Sequence, residues 1–234
     1  MTNRLLTMHP VTGIAWILAA LAPVVTSGLG VAVAADAPAA PKGPPAGQYQ
    51  LDKGHASLSF RVSHLGFSSY TTRFRQFDAQ LSFDPGNLAA AKVSTTIDAS
   101  SIELENALPM CDGIVHGAQF LDTAKYPEIT FRSEQVRVKG PSALEVIGKL
   151  TLHGITRPVV LDTKFNGGYA GRSGDDPQAR IGFSAHGSLK RSDFGMTFAT
   201  PAPGSKFGVG DTIDISIEAE FVGPPLQAVP SGSP

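Results

Sequence analysis

The 234-residue sequence predicts an all-β fold, an antiparallel sheet of about eight long strands that closes into a barrel or folds as a sandwich. Three observations carry that prediction. Apolar residues recur at every second position in several runs, turn-forming residues separate the runs, and a single short segment shows helical spacing instead. A hydrophobic fraction of 42% over this length is enough to bury a substantial core.

Residues 1–35 stand outside that fold. Arg4 precedes a nearly uncharged stretch, Val11 through Ala34, which ends in the small-x-small pattern Ala32-Val33-Ala34-Ala35. This is the layout of a signal peptide cut after Ala34 or Ala35; Pro10, Pro23, Gly28 and Gly30 argue against its retention as a membrane anchor. Export is therefore expected, with no stable membrane insertion after cleavage. Ten of the eighteen prolines lie before residue 48 or after residue 222, which marks 36–47 as a flexible leader and 223–234 as a flexible tail. The folded block is expected at 48–222.

Within that block Leu58, Phe60, Val62 and His64 alternate with Ser57, Ser59, Arg61 and Ser63, giving a strand with one apolar and one polar face. Phe77, Ala79, Leu81 and Phe83 repeat the pattern, and Asp84-Pro85-Gly86-Asn87 supplies a turn. Val93, Thr95 and Ile97 give a weaker strand. The period then changes: Cys111, Ile114, Val115, Ala118 and Leu121 fall at helical spacing behind Pro109. A short helix is expected over 109–121, weakened by Gly113 and Gly117. Alternation resumes with Ile129 and Phe131, then Val136 and Val138, then Leu144, Val146, Gly148, Leu150 and Leu152. Val159, Leu161, Thr163 and Phe165 follow. Asn166-Gly167-Gly168 and the polar stretch 172–177 separate them from Ile181, Phe183, Ala185 and Leu189, and Ile213, Ile215, Ile217, Ala219 and Phe221 end the series.

Several runs reach nine or more residues, longer than the usual strand, and such length favours a barrel whose closure removes exposed edges. Ala79, Gly148, Ala185 and Gly187 sit on the apolar parity. They either leave room for a ligand or face bulky residues across a filled core, and composition alone favours the filled core.

The net charge of −1 argues against nucleic-acid binding, which calls for a basic face. One cysteine excludes an internal disulfide and a Cys/His zinc finger. His55, His64, His116, His153 and His186 show no compact ligand spacing, so no metal site is expected. His64 ends an apolar run and is either a strand-end residue or a contact for a polar head group. Cys111 reads as a partly buried helix residue, and Arg191-Ser192-Asp193-Phe194-Gly195 as a strand end and turn held by an arginine–carboxylate contact. No catalytic constellation emerges.

Several motifs follow one another in order along the folded block. They run from Tyr49-Gln50-Leu51-Asp52 and Ser59-Phe60-Arg61-Val62-Ser63-His64-Leu65-Gly66 to Phe120-Leu121-Asp122 and Tyr126-Pro127-Glu128-Ile129. Gly148-Lys149-Leu150-Thr151-Leu152-His153-Gly154-Ile155-Thr156-Arg157-Pro158 and Arg191-Ser192-Asp193-Phe194-Gly195-Met196 continue the series. This ordered set resembles the YceI-like, or polyisoprenoid-binding, family of exported bacterial proteins, with one departure. The family often carries Arg-Asp-x-His-Leu where this chain has Cys111-Asp112-Gly113-Ile114-Val115, so nothing tied to that arginine or histidine transfers.

The resemblance implies an extended, lipocalin-like barrel in the periplasm, whose apolar lumen holds a polyisoprenoid lipid, with an isoprenoid quinone the first expectation. It implies no cofactor beyond that lipid, and it is compatible with a homodimer. On this reading the lumen wall comprises Leu58, Phe60, Val62 and His64, then Phe77, Leu81 and Phe83, then Ile129, Phe131, Val146, Leu150, Phe183 and Ile215. The competing readings are an enzyme acting on a hydrophobic lipid and a stress-response module whose barrel is filled.

Overall fold

The computed structural model describes residues 43–104, 108–172 and 174–226. The expected signal peptide lies outside them, as do the first part of the leader and the end of the tail. The strands are β1 (Gly47–His64), β2 (Ser68–Phe74), β3 (Phe77–Phe83), β4 (Lys92–Asp98), β5 (Glu128–Val138), β6 (Ala143–Leu152), β7 (Ile155–Tyr169), β8 (Gln178–Lys190) and β9 (Val209–Pro225). Helix α1 (Pro109–His116) lies between β4 and β5. Neighbouring strands are antiparallel, and β9 returns to pair with β1. The sheet is therefore a closed barrel of eight strands, β1 and β3 through β9, with β2 as an extra strand.

Closure depends on β1 serving two partners along one edge. Its first residues pair with β3, from Gly47 opposite Phe83 to Gln50 opposite Gln80. Its second half pairs with β2, from Leu58 opposite Phe74 to His64 opposite Ser68. On its other edge β1 follows β9 throughout, but the register shifts between Leu51 and Ala56, so residues 52–55 bulge opposite Glu220. A bulge of this kind bends the strand, which is what a closing sheet needs at a change of partner.

The sequence did not anticipate β2, because Ser68-Ser69-Tyr70-Thr71-Thr72-Arg73-Phe74 carries too little apolar contrast to read as alternation. The two short runs at 129–131 and 136–138 form one strand, β5, whose parity is reset by a register shift between Ser133 and Gln135. The helix is shorter than expected. It ends at His116, with Gly117 in an extended conformation, and turns carry the chain on through Leu121. Strand β9 continues through Pro225, past the expected start of the tail at 223.

The inward residues form two packed groups. Leu58, Phe74, Ile97, Phe131, Val146, Leu150 and Phe194 belong to the larger one. The second, around Tyr49, Leu81, Phe83, Ile181 and Phe221, closes the end of the barrel formed by the start of β1 and the end of β9. Gly148 and Gly187 turn out to serve local packing. A β-carbon on Gly148 would lie 2.5 Å from the Phe131 ring, and one on Gly187 would lie 2.7 Å from Leu161. Ala79 and Ala185 instead face the interior space.

The bulge is held by one carboxylate. Asp52 accepts from the Gly54 amide at 3.0 Å, from His55 Nδ1 at 3.0 Å and from Arg180 Nη1 of β8 at 2.6 Å. Arg180 also donates to Asp176 at 2.9 Å. The Arg180 guanidinium, more than any other contact, holds the Asp52 carboxyl at about 2, below its ordinary 3.8. A lowered carboxyl pKa contributes stability above the unfolded value and loses it as pH falls through the folded one. Asp52→Asn should therefore cost about 1–3 kcal/mol at pH 7, and its deficit relative to the parent should shrink between pH 4 and pH 2. Denaturant midpoints of both proteins across that range check this, and a deficit that does not change with pH would contradict it.

Candidate ligand-binding lumen

The apolar parities of the strands converge on an interior cavity of about 600 Å³. Eight strands give an interior that side chains can fill or that can hold one small ligand. Here they fill the closed end and leave the rest open. Each wall position expected from the alternation reaches this cavity: Leu58, Phe60, Val62 and His64 on β1, and Phe77, Leu81 and Phe83 on β3. Ile129 and Phe131, Val146 and Leu150, Phe183, and Ile215 complete it from β5, β6, β8 and β9. Most of these are buried by their neighbours, whereas His64 stays exposed at the end of β1.

Polar groups on the wall are few, and several are committed to backbone. The Thr72 hydroxyl donates to the Glu103 carbonyl, and the Thr163 hydroxyl donates to the Leu161 carbonyl at 3.2 Å. A wall of this composition offers dispersion and apolar burial rather than directed bonds.

The open end is built by segments that alternation could not reveal. Ile102 and Leu104 after β4, Cys111, Ile114 and Val115 of α1, and Phe120 and Leu121 behind it all reach the cavity. Across from them stand Met196, Phe198 and Ala199. The Phe120 and Phe198 rings meet edge to face with centroids 5.7 Å apart. Phe67, Leu108, Met110 and Phe207, in the loops and helix start of this region, remain exposed. Helical spacing had marked Cys111, Ile114, Val115 and Leu121, and the ordered motifs had included Phe120 and Met196; no sequence signal marked Phe198 or Ala199.

Arg191 organises this rim. It is only 2% exposed, yet it makes no direct carboxylate contact of the kind expected for it. Its guanidinium donates to four carbonyls: Gly210 at 2.9 Å, Met196 at 3.0 Å, Phe198 at 2.8 Å and Val209 at 2.8 Å. It also lies 5.3 Å from the centre of the Phe120 ring. Burial pushes its pKa down from the ordinary value, opposed by the more distant Asp211 charge. The Asp211 carboxylate serves Ser192 instead, accepting from its amide at 2.9 Å and its hydroxyl at 2.8 Å. Arg191–Phe194 is a 3₁₀ turn, not a strand end, and Gly195 follows it at φ 78°, a conformation that glycine adopts without strain.

The histidines are dispersed, as the sequence suggested. His153 Nδ1 lies 3.0 Å from the Phe194 carbonyl and its ring meets Tyr126, while His186 sits on the outer surface of β8. His55 comes within 4.8 Å of Asp52 and Glu220, but Arg180 already occupies this cluster, at 2.6 Å from Asp52 and 3.9 Å from Glu220. We read it as an ion-pair network on the outside of the barrel. Among the described residues no helix is long and apolar enough to cross a membrane.

Fold and site together define a class: a closed antiparallel barrel around an apolar lumen that opens at one end. Residues 49–221 match the YceI-like domain model, and the chain belongs to that family. It is 38% identical over 181 residues to a UPF0312 protein of Vibrio cholerae, covering 76% of this chain and 88% of the relative. A crystallised YceI protein of Campylobacter jejuni matches with a TM-score of 0.58 and 29% identity, covering 69% of this chain and 90% of that one. A domain of Saccharophagus degradans described as polyisoprenoid binding shares the fold, with a TM-score of 0.51 and 19% identity over 75% of this chain and 98% of its own.

Because four carbonyls depend on one guanidinium, Arg191→Met should lower stability by about 3 kcal/mol or more, the cost of leaving buried acceptors unpaired. Amide exchange should rise in 196–210 before it rises in β5 and β6. An unchanged denaturant midpoint would show that the rim does not depend on this side chain.

Proposed function

We propose that the protein is a non-enzymatic binding and carrier protein for an isoprenoid lipid, with the tail in the lumen and the head group at the rim near His64. The observation that carries this reading is the cavity of about 600 Å³ walled almost wholly by apolar side chains. Around an empty space of that size the lining side chains lack partner atoms on one side, and an apolar occupant restores those contacts. A barrel of this shape is therefore best sustained by an apolar occupant. A flexible hydrocarbon tail suits it, since each methylene moved from water contributes about 0.8 kcal/mol. The relative from Saccharophagus degradans, described as polyisoprenoid binding, supports an isoprenoid as that tail.

Among the described residues, the Thr72, Thr163 and Arg191 donors on the wall are engaged by backbone carbonyls, which fits a carrier better than a catalyst. The exposed apolar residues of the rim, such as Phe67 and Phe207, would lower the barrier for a tail leaving the lumen. An isoprenoid quinone is the ligand we place first, and the periplasm is the compartment in which a cleaved leader would put the carrier.

Val62 faces the cavity between Tyr70 of β2 and Ile213 of β9, so Val62→Trp places an indole inside the proposed tail path. In a filled core such overpacking costs about 1–3 kcal/mol. In the lumen the variant should keep a near-parental denaturant midpoint once delipidated, while solvent extraction and mass spectrometry recover little isoprenoid per folded chain. Strong destabilisation with unchanged lipid content would overturn the assignment.

A further inference from the structure

The closed end of the lumen is built from aromatic rings two layers deep. Phe83, Phe183 and Phe221 face the cavity, and Phe165 and Tyr49 stand behind them. Phe183 is the centre of this group: its ring lies 5.2 Å from Phe165 and 6.1 Å from both Phe83 and Phe221. Phe83 in turn meets Tyr49 edge to face at 5.8 Å, and the Tyr49 hydroxyl donates to the Pro45 carbonyl at 2.7 Å. Ile181, 1% exposed, packs in the same group. A ring held on several sides by other rings, with the outer layer anchored to backbone, is a stop rather than a gate.

Along the wall toward the lumen the neighbours of Phe183 are small. Ala185 is two residues along the same face of β8, and Ala219 lies directly opposite Phe183 on β9. Phe183 touches both of the other cavity-facing rings, Phe83 and Phe221, and so forms the centre of the floor where the open space ends. The volume above it has a natural unit. A dry protein cavity of about 150 Å³ takes up one six-carbon ring, so about 600 Å³ has room for roughly twenty-four carbons, or between four and five isoprene units.

From this geometry, and resting on the lipid-binding reading above, we propose that Phe183 is a chain-length gauge: it is the floor against which the tail ends, and it selects tails of about four to five isoprene units for full burial. Phe183→Ala removes six carbons from the floor, slightly more than one isoprene unit, and the rings of Phe83, Phe165 and Phe221 hold the space that this opens. A ring removed from the side wall has a different effect. Phe60 on β1 packs against Phe74, 5.7 Å away, and its loss widens the tube without lengthening it.

The test is competitive loading. Delipidated protein is offered an equimolar series of prenyl alcohols from two to eight isoprene units, and the bound species are read by native mass spectrometry. The parent should retain best the alcohols of four to five units. Phe183→Ala should shift that optimum up by about one unit, Phe183→Trp should shift it down, and Phe60→Ala should leave it in place. An optimum that does not move in Phe183→Ala or Phe183→Trp, or one that moves equally in Phe60→Ala, overturns the gauge while the lipid reading stands. If Phe183→Ala does not fold, the shift in Phe183→Trp decides alone. A parent that retains no prenyl alcohol of any length refutes the lipid reading itself, and the gauge with it.

Discussion

The barrel depends on the pairing of β1 with β9, which closes eight strands around an interior and leaves β2 as an extra strand on β1. Closure fixes a circumference of eight strands, and that circumference fixes an interior which side chains of ordinary length fill only where they are aromatic or crowded. At the end near Gly47 and Pro225 the rings of Phe83, Phe183 and Phe221 meet and fill it. Higher up, Val, Leu and Ile, with Phe60, Phe74, Phe77 and Phe131 among them, line the wall and leave space between them. The lumen thus follows from closure and residue size, without any special motif. The Asp52 carboxylate matters because it secures the bulge through which β1 reaches both β3 and β2 while keeping β9 as its other neighbour.

The open end is governed by a different constraint. Loop backbone at a rim has carbonyls that no sheet neighbour can satisfy, and buried acceptors must find donors. Arg191 supplies four of them from one side chain, drawing 196–198 and 209–210 together. On the opposite side the turns after α1 are held by backbone bonds such as Leu121 to Val115 and Thr123 to His116. The result is a mouth bounded by two backbone-pinned segments, with the Phe120–Phe198 contact between them. A wall of strands and a rim of loops divide the work: the strands set the bore, and the loops set access to it.

The strands were legible in the sequence because a one-sided strand in a closed barrel must alternate, and Leu58-Ser59-Phe60-Arg61-Val62 has no other economical reading. The lumen positions followed from the same parity. Three things were not legible, each for a physical reason. In β2, Tyr70, Thr72 and Phe74 face inward between serines, threonines and an arginine, a contrast too weak to register. The parity reset in β5 needs an extra residue at Glu134, and a bulge leaves no compositional trace. The role of Arg191 depends on carbonyls far along the chain at Val209 and Gly210, and carbonyls look alike in every sequence; the arginine–carboxylate pairing expected there was the wrong partner. Composition alone favoured a filled core for the small inward residues, and the structure divides them between local packing and the wall of the open space. Gly148 underlies Phe131, while Ala185 and Ala219 border the lumen beside Phe183.

The most direct test of a lumen occupied by an isoprenoid tail is a crystal structure of the protein purified from its own cells without added lipid or detergent. The account predicts continuous, methyl-branched density that ends against Phe183 and leaves the barrel beside His64. A barrel in which Phe60, Leu121 and Ile215 have closed across the interior, with no elongated density between them, would contradict it.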